Sequence, residues 1–539
     1  ILWAFGFLLA LQCALRGEVG RGPCWSHGPG GRLSARFVAG LRAWGGRRGW
    51  ARCDGARRER AGRGAPVGDR GLRSGRGDAA LRRMRRDVTM VGVMRDSWAL
   101  LLGVLLLMLG NGLQGTLLGV RGGIEGMGPT TISLVMSSYF LGLFAGARLV
   151  PAMIRRVGHV RVFAALASLI SAAFIIYAAA PDPWVWAGMR FIVGLGFCGV
   201  YVAAESWLNA KADNATRGQA MSAYMMVQLF GVVAAQALLP LGDPSGYGLF
   251  VVISVLVSVA VAPVLLSATP APVFESTKAM SLRRLYEVSP LGCVTALLLG
   301  AMFSALFGMS AVYGTEAGFT LGEISLFVSA IYAGGFLMQW PVGWLSDRMD
   351  RRVLIVGVCA LGAAAATAAV GAGSTTAVIA LAAVIGGMIN PLYSLIIAYT
   401  NDFLEPDDMA AASGGLVSLN GLGAVGGPLV VGGLIDLVGP AGFFVYLAGL
   451  LGAVSVYGLY RMTQRAAPAA AETGPYAIAA MTAGAVAMEA TQEAVVEQIA
   501  AAEDEPGHVD VADAGLDREA GVVAVDDGSD GDDSTPRAA

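Results

Sequence analysis

The sequence predicts an all-α integral membrane protein, with twelve transmembrane helices in two pseudo-symmetric six-helix bundles. Three observations carry that prediction. Only 14% of the 539 residues are charged and 55% are hydrophobic, whereas a soluble protein carries roughly 25% charged residues. The mean hydropathy is +0.62. The apolar residues also fall into separate runs, each long enough to cross roughly 30 Å of hydrocarbon at about 1.5 Å per residue.

Residues 1–93 stand outside that pattern. Residues 1–95 hold twenty Arg and no Lys and lack any apolar period, as GC-rich DNA does when read upstream of a start codon. The true start is expected at Met84, Met90 or Met94. A secretory signal in residues 1–17 is the other reading, but no basic segment precedes its apolar run. A chain beginning at Met94 is therefore expected to insert and fold like the full chain. Failure of that shortened chain to resist carbonate extraction from membranes would show that the segment belongs to the protein.

Six spans follow within 94–267, near 97–120, 130–153, 160–180, 184–207, 217–240 and 247–267. A polar linker, 268–288, separates them from six more within 289–463, near 289–313, 321–345, 353–373, 376–400, 409–434 and 440–461. Their backbones must be helical, because lipid offers no hydrogen-bond partner. Residues 464–539 are acidic and expected to be a disordered cytoplasmic tail, with one stretch, 487–503, able to form a helix. Basic residues cluster in alternate loops: Arg155, Arg156 and Arg161, then Lys211 and Arg217, then Lys278, Arg283 and Arg284, then Arg348, Arg351 and Arg352. The opposite loops carry Arg121. Positive charge stays on the cytosolic side, so both termini are expected in the cytosol of a bacterium, with the spans in its inner membrane.

The halves echo each other. Span two ends in IRRVGHVRVF and span eight in SDRMDRRVLI; span four ends in Glu205 and span ten near Asp402. Parallel repeats of this kind are one mark of transporter architecture. The loop GWLSDRMDRR (343–352) resembles the signature G-x-x-x-D-R-x-G-R-R of the major facilitator superfamily, with Asp350 where Gly is usual. RFIVGLGFCG (190–199) resembles that family's fourth-span motif, and VYVAAESWLNA after it resembles an uncharacterised bacterial branch. The resemblance covers about residues 95–463. The first-half loop departs from the pattern, with Arg155 in place of Asp and Pro151 in place of Gly.

The resemblance implies alternating access, with the signature loops closing the cytosolic side in one conformation. It places Asp347 near the start of span five and Arg155 near the start of span eleven, where the acidic EPDD segment (Glu405, Asp407, Asp408) is expected to compensate for Arg155. Arg156, Arg348, Arg351, Arg352 and Asp402 complete the expected gating set. Plain positive-inside topology would account for the arginines, but not for the Asp residues interleaved with them.

Polar side chains recur at helical spacing inside four spans, where they cost energy unless they face protein or a wet cavity. Asn111 and Gln114 lie in span one; Arg190, Tyr201 and Glu205 in span four; Tyr332 and Gln339 in span eight; Asn390, Tyr393 and Ser394 in span ten. Gln114 and Gln339 also suit plain interhelical hydrogen bonding, and Asn390 precedes Pro391, where it can satisfy carbonyls freed at a kink. Of these, Asn111, Gln114, Arg190, Tyr201, Tyr332, Gln339, Asn390 and Tyr393 are the candidate substrate path. The resemblance assigns the path to spans one, four, seven and ten, and span seven shows no polar stripe. Arg190 and Glu205 are the proton-coupling candidates, because no Asp, Glu, His or Lys lies near the middle of any span; a uniporter stays open. Glu205 also suits a structural partnership with the Arg155, Arg156 and Arg161 loop.

No phosphate-binding G-x-x-x-x-G-K-[ST] loop, Cys-x-x-Cys pair or His pair occurs. No cofactor, metal, nucleic-acid partner or enzymatic activity is expected. The six Cys give no disulfide pattern, and Cys198, Cys293 and Cys359 read as small apolar residues. The leading function is secondary active or facilitative transport of a small polar or amphipathic molecule by a monomer in contact with membrane lipids, with protons as an open coupling partner. The alternative is a transport-inactive sensor or scaffold with the same fold.

Overall fold

The computed structural model describes residues 97–211, 214–265, 280–464, 474–478 and 485–503, with the side chains of 210–217, 485–486 and 500–503 left aside. The expected start sites Met84, Met90 and Met94, and the basic side chains of Lys211, Arg217 and Lys278, lie outside that description. Among the described residues, twelve helices are long and apolar enough to cross a membrane: Trp98–Ile124, Pro129–Val157, His159–Ala179, Pro183–Asn209, Gly218–Leu241, Gly248–Leu265, Pro290–Glu316, Leu321–Ser346, Arg351–Val370, Thr375–Asn401, Pro406–Val438 and Gly442–Gln464. They are spans one to twelve below. A short helix, Leu282–Val288, ends the linker.

Local chemistry sets the ends. Proline opens spans two, seven and eleven, where its missing N–H costs nothing. Thr320 and Glu323 form a capping box at the start of span eight. Asp350 accepts from the Arg352 backbone N–H at 2.9 Å and so caps span nine. The Asp that replaces a Gly in the signature loop therefore has a structural use here. Gly158 (φ 85°) turns the chain between spans two and three, a conformation that L side chains rarely adopt.

The two halves repeat the same helix crossings. Gly142 and Gly194 bring spans two and four together: a Cβ on either would lie about 2 Å from a carbonyl oxygen of the other helix (2.1 Å from Phe191 and 2.0 Å from Tyr139, respectively). Gly334 and Gly386 do the same for spans eight and ten, at 1.9 Å from Ala383 O and 2.1 Å from Ile331 O. Both pairs are separated by the same distance along the chain, so the echo in the sequence corresponds to a repeated packing device. Small residues allow this approach where lipid supplies no hydrophobic drive. Gly194→Val is expected to lower the melting temperature in detergent, at a cost of about 1–3 kcal/mol or more from overpacking. Gly188→Val, with nothing within 4 Å of its Cβ position, should leave it unchanged.

At the end opposite the arginine-rich loops the halves meet closely. Gly119 of span one packs on Ala311 and Val312 of span seven. Thr130 at the start of span two donates its backbone N–H to Asp436 Oδ2 at 3.2 Å, near the end of span eleven. Ser137 of span two donates to the Val425 carbonyl of span eleven. Toward the basic end a cavity lies between the halves.

Part of the tail is described, including a helix close to the 487–503 stretch read as able to form one. Residues 474–478 and the helix Ala485–Glu503 are placed against the bundle. The helix packs on spans four, five and eleven and buries Ala487, Met488, Ala490 and Val495.

Candidate functional site

The cavity has a volume of about 450 Å³. Its polar lining comes from Asn111 of span one, Tyr201 of span four, Ser222 and Gln228 of span five, Tyr332 and Gln339 of span eight, and Asn390 of span ten. Its apolar lining includes Met108, Met225, Val232, Phe307 and Trp340. Among the described residues, no charged side chain lines it.

Helical register aims these groups. Asn111 lies between two tyrosines: its amide donates to Tyr201 Oη at 3.0 Å, while its carbonyl accepts from Gln114 at 2.8 Å and from Tyr139 at 3.4 Å. Gln339 donates to Ser394 Oγ at 3.0 Å and to Tyr476 Oη of the tail at 3.1 Å. Asn390 donates to the Gly386 carbonyl at 2.9 Å, one turn earlier in its own helix, as expected beside a proline kink, and it lines the cavity as well.

Five of the eight path candidates thus face the cavity: Asn111, Tyr201, Tyr332, Gln339 and Asn390. Gln114, Arg190 and Tyr393 are buried behind its wall. Arg190 is fully buried, its guanidinium carbon 4.9 Å from the centre of the Tyr139 ring and its Nη2 3.0 Å from Met136 Sδ. Its Nε and Nη1 have no hydrogen-bond partner among the described residues. Tyr139 in turn stacks on Phe307 at 5.9 Å, so Arg190 reaches the cavity wall through one aromatic ring. Glu205 is also fully buried; it accepts from Tyr224 Oη at 3.3 Å and from the Ala487 backbone N–H at 3.2 Å.

Span seven contributes Phe303 and Phe307 instead of polar groups, and span five contributes a whole face, from Ser222 to Val232. Polar-stripe reasoning passes over both, because apolar cavity-facing and lipid-facing residues look alike in sequence. Gln228 was the available signal. Arg148, also passed over, lies 4.3 Å above the Phe144 ring.

The gating residues form one cluster and one scattered set. Arg351, 2% exposed, pairs with Asp402 and donates to the Ala398 carbonyl at 3.0 Å, to Ser346 Oγ at 3.1 Å and to the Gly474 carbonyl of the tail. Burial pushes the Asp402 carboxyl up to about 6 against the pull of Arg351. Burial acts upward on Asp350 too, but its hydrogen bonds from Arg352 hold its pKa below the ordinary value. Arg348 lies 4.3 Å from the Trp344 ring. Asp347 accepts from the Tyr476 backbone N–H at 3.0 Å and lies 3.8 Å from Arg351; the Lys211 and Arg217 side chains before span five lie outside the described residues. Arg155 and Arg156 are exposed and make no ion pair among the described residues. Asp408 pairs with Arg284 of the linker helix at 2.7 Å, and Asp407 is exposed. The compensation expected between Arg155 and the acidic segment is not formed here.

The Major Facilitator Superfamily model matches residues 100–322 and 291–493. The chain is 26% identical over 340 residues to an uncharacterized MFS-type transporter, YcaD, of Escherichia fergusonii, covering 62% of this chain and 87% of that protein. It is 24% identical over 373 residues to one from Yersinia pestis, covering 67% and 94%. Among solved structures, the nucleoside transporter NupG superposes with a TM-score of 0.53 at 15% identity, covering 68% of this chain and 98% of that one. A bacterial homologue of the human lysosomal transporter Spinster, inward-facing and unoccupied, superposes at 0.52 with 15% identity, covering 74% and 97%. With twelve membrane-crossing helices, a repeated half and family motifs at 190–199 and 343–352, the chain belongs to the Major Facilitator Superfamily, a membrane transporter family.

Proposed function

We propose that the chain moves an uncharged, amphipathic small molecule across the bacterial inner membrane by alternating access, with the basic end and both termini in the cytosol. The observation that carries this is the cavity between the halves, closed at the end where span one meets span seven and span two meets span eleven. At about 450 Å³ it lies within the usual ~300–1,000 Å³ of small-molecule sites. The substrate class follows from the lining. A charged group would find no counter-ion there among the described residues, whereas hydroxyl or amide groups would meet Asn111, Gln228 and Gln339. Phe336, Leu337 and Trp340 line the cavity, yet they are 55%, 65% and 74% exposed, so the cavity also reaches the membrane-facing surface between spans five and eight. A molecule soluble in the bilayer could use that route.

In this reading the chain is a monomer without catalytic activity, and the six-plus-six division at residues 268–288 is the division into moving bodies. Arg190 carries the coupling, either to protons or to the conformational change alone, by holding Tyr139 against the closed end. The test is flux of candidate uncharged amphiphiles into proteoliposomes, selected first by thermal shift of the purified protein. Ligands that stabilise the protein but never cross would support a sensor instead. Equal flux with and without an imposed proton gradient would assign a uniporter.

A further inference from the structure

We propose that residues 474–478 and the helix Ala485–Glu503 form an intramolecular plug that closes the cytosolic mouth of the cavity and must undock before the cavity exchanges with the cytosol. The word cytosolic rests on the orientation proposed above; the docking does not.

The segment is fixed at both sides of the mouth. On the second-half side, the Tyr476 backbone N–H donates to Asp347, the Tyr476 hydroxyl accepts from Gln339, and the Gly474 carbonyl accepts from Arg351. The Tyr476 ring rests on Gly343, where a Cβ would lie 2.7 Å from Cε1. Ile478, two residues on, lines the cavity itself. Further along, the helix Ala485–Glu503 lies against spans four, five and eleven, two from the first half and one from the second. Near its N-terminus the Ala487 N–H meets the buried Glu205 carboxylate at 3.2 Å, the favourable end of the helix dipole for an anion. Gln492 accepts from Asn401 of span ten at 2.6 Å. Ala487, Met488, Ala490, Thr491 and Gln492 are buried, while Glu493 and Glu497 are exposed, so the helix presents one face to the bundle.

Two consequences follow for the transport cycle. The plug occupies Asp347, Arg351 and Glu205, and Asp347 and Arg351 belong to the signature loop. An arrangement in which Asp347 moves to the start of span five needs Tyr476 to leave it. The helix also contacts both halves, so it resists their approach at this end. Because the segment is tethered to span twelve, its docking is intramolecular and needs no partner concentration. While it is docked, the route between spans five and eight is the one left to a molecule soluble in the bilayer.

Two measurements test this without any substrate. Asn401→Cys with Gln492→Cys, in the full chain in native membranes, is expected to form an intramolecular disulfide on mild oxidation, and Met488→Glu should suppress it; failure of the pair to cross-link overturns the docking. For closure, Gln228→Cys places a thiol in the cavity, read with a membrane-impermeant maleimide above the labelling of the parent chain. Adding Met488→Glu should raise its labelling rate roughly tenfold or more, because an unpaired carboxylate does not stay in an apolar contact. An unchanged rate overturns the plug. Running both vesicle orientations separates the two claims: tail-dependent labelling from the opposite face would keep the plug and reverse the proposed topology.

Discussion

Arg190→Met is expected to lower flux by roughly 5- to 150-fold, the range of a ~1–3 kcal/mol coupling, without lowering thermal stability. The two halves of that expectation have different origins. Arg190 is fully buried, and two of its three guanidinium nitrogens have no partner among the described residues. Such a group does little for folding, and apolar replacement of buried charge is often neutral or stabilising. Its contact of 4.9 Å with Tyr139 matters through what Tyr139 holds: the hydrogen bond to Asn111 on the cavity wall and the stack on Phe307. Arg190→Lys keeps the charge but loses the planar cation that lies over the ring, so flux should recover only in part. Normal flux in Arg190→Met would reduce Arg190 to a burden on the fold. A melting temperature that falls by many degrees would make its role structural.

What the sequence disclosed follows from what lipid imposes. A helix in hydrocarbon must be apolar for about 20 residues, so all twelve spans stood out, with ends shifted by a few residues. Polar residues in such a setting are conspicuous, and Asn111, Tyr201, Tyr332, Gln339 and Asn390 were recognisable as cavity groups. Position along the span did not reveal depth from the cavity. Gln114 and Tyr393 share sectors with cavity residues, yet Gln114 is spent on Asn111 and Tyr393 is packed away. The face of span five was hidden because Met225, Met226 and Leu229 would suit lipid equally well. The docking of the tail helix, itself expected near 487–503, was the largest omission in packing terms. Its buried face mixes Ala487, Met488 and Ala490 with Thr491 and Gln492, which leaves little contrast with its exposed side, and its acidity reads as a solvated chain. Asp350 shows the opposite case: a departure from the family motif that capping chemistry explains.

Breaking the buried pair at the second signature loop should have the largest effect on stability. Arg351 and Asp402 are 2% and 3% exposed, and Arg351 also satisfies the carbonyls of Ala398 and Gly474. Removing one partner of such a pair strands the other, at a cost of about 3–5 kcal/mol. Arg351→Met is therefore expected to lower the melting temperature sharply at pH 8, with Arg351→Met/Asp402→Leu recovering much of the loss. The pH dependence has a definite sign. The folded Asp402 already titrates near 6, above its ordinary 3.8, because burial outweighs the pull of Arg351. A folded pKa above the free value means that the folded protein binds the proton more tightly. This group's favourable contribution is fully present below the free pKa and is lost as pH rises through the folded one. Without Arg351 the carboxyl loses the cation that holds its pKa down, and its pKa should rise further. The deficit of Arg351→Met should accordingly shrink on acidification from pH 8 toward pH 5, as Asp402 takes up the proton that replaces the missing cation. Thermal melts of the parent, Arg351→Met, Asp402→Leu and the double variant across that range decide the matter. A deficit that is constant with pH, or a double variant as unstable as the sum of the single changes, would show that the two side chains do not act as a pair.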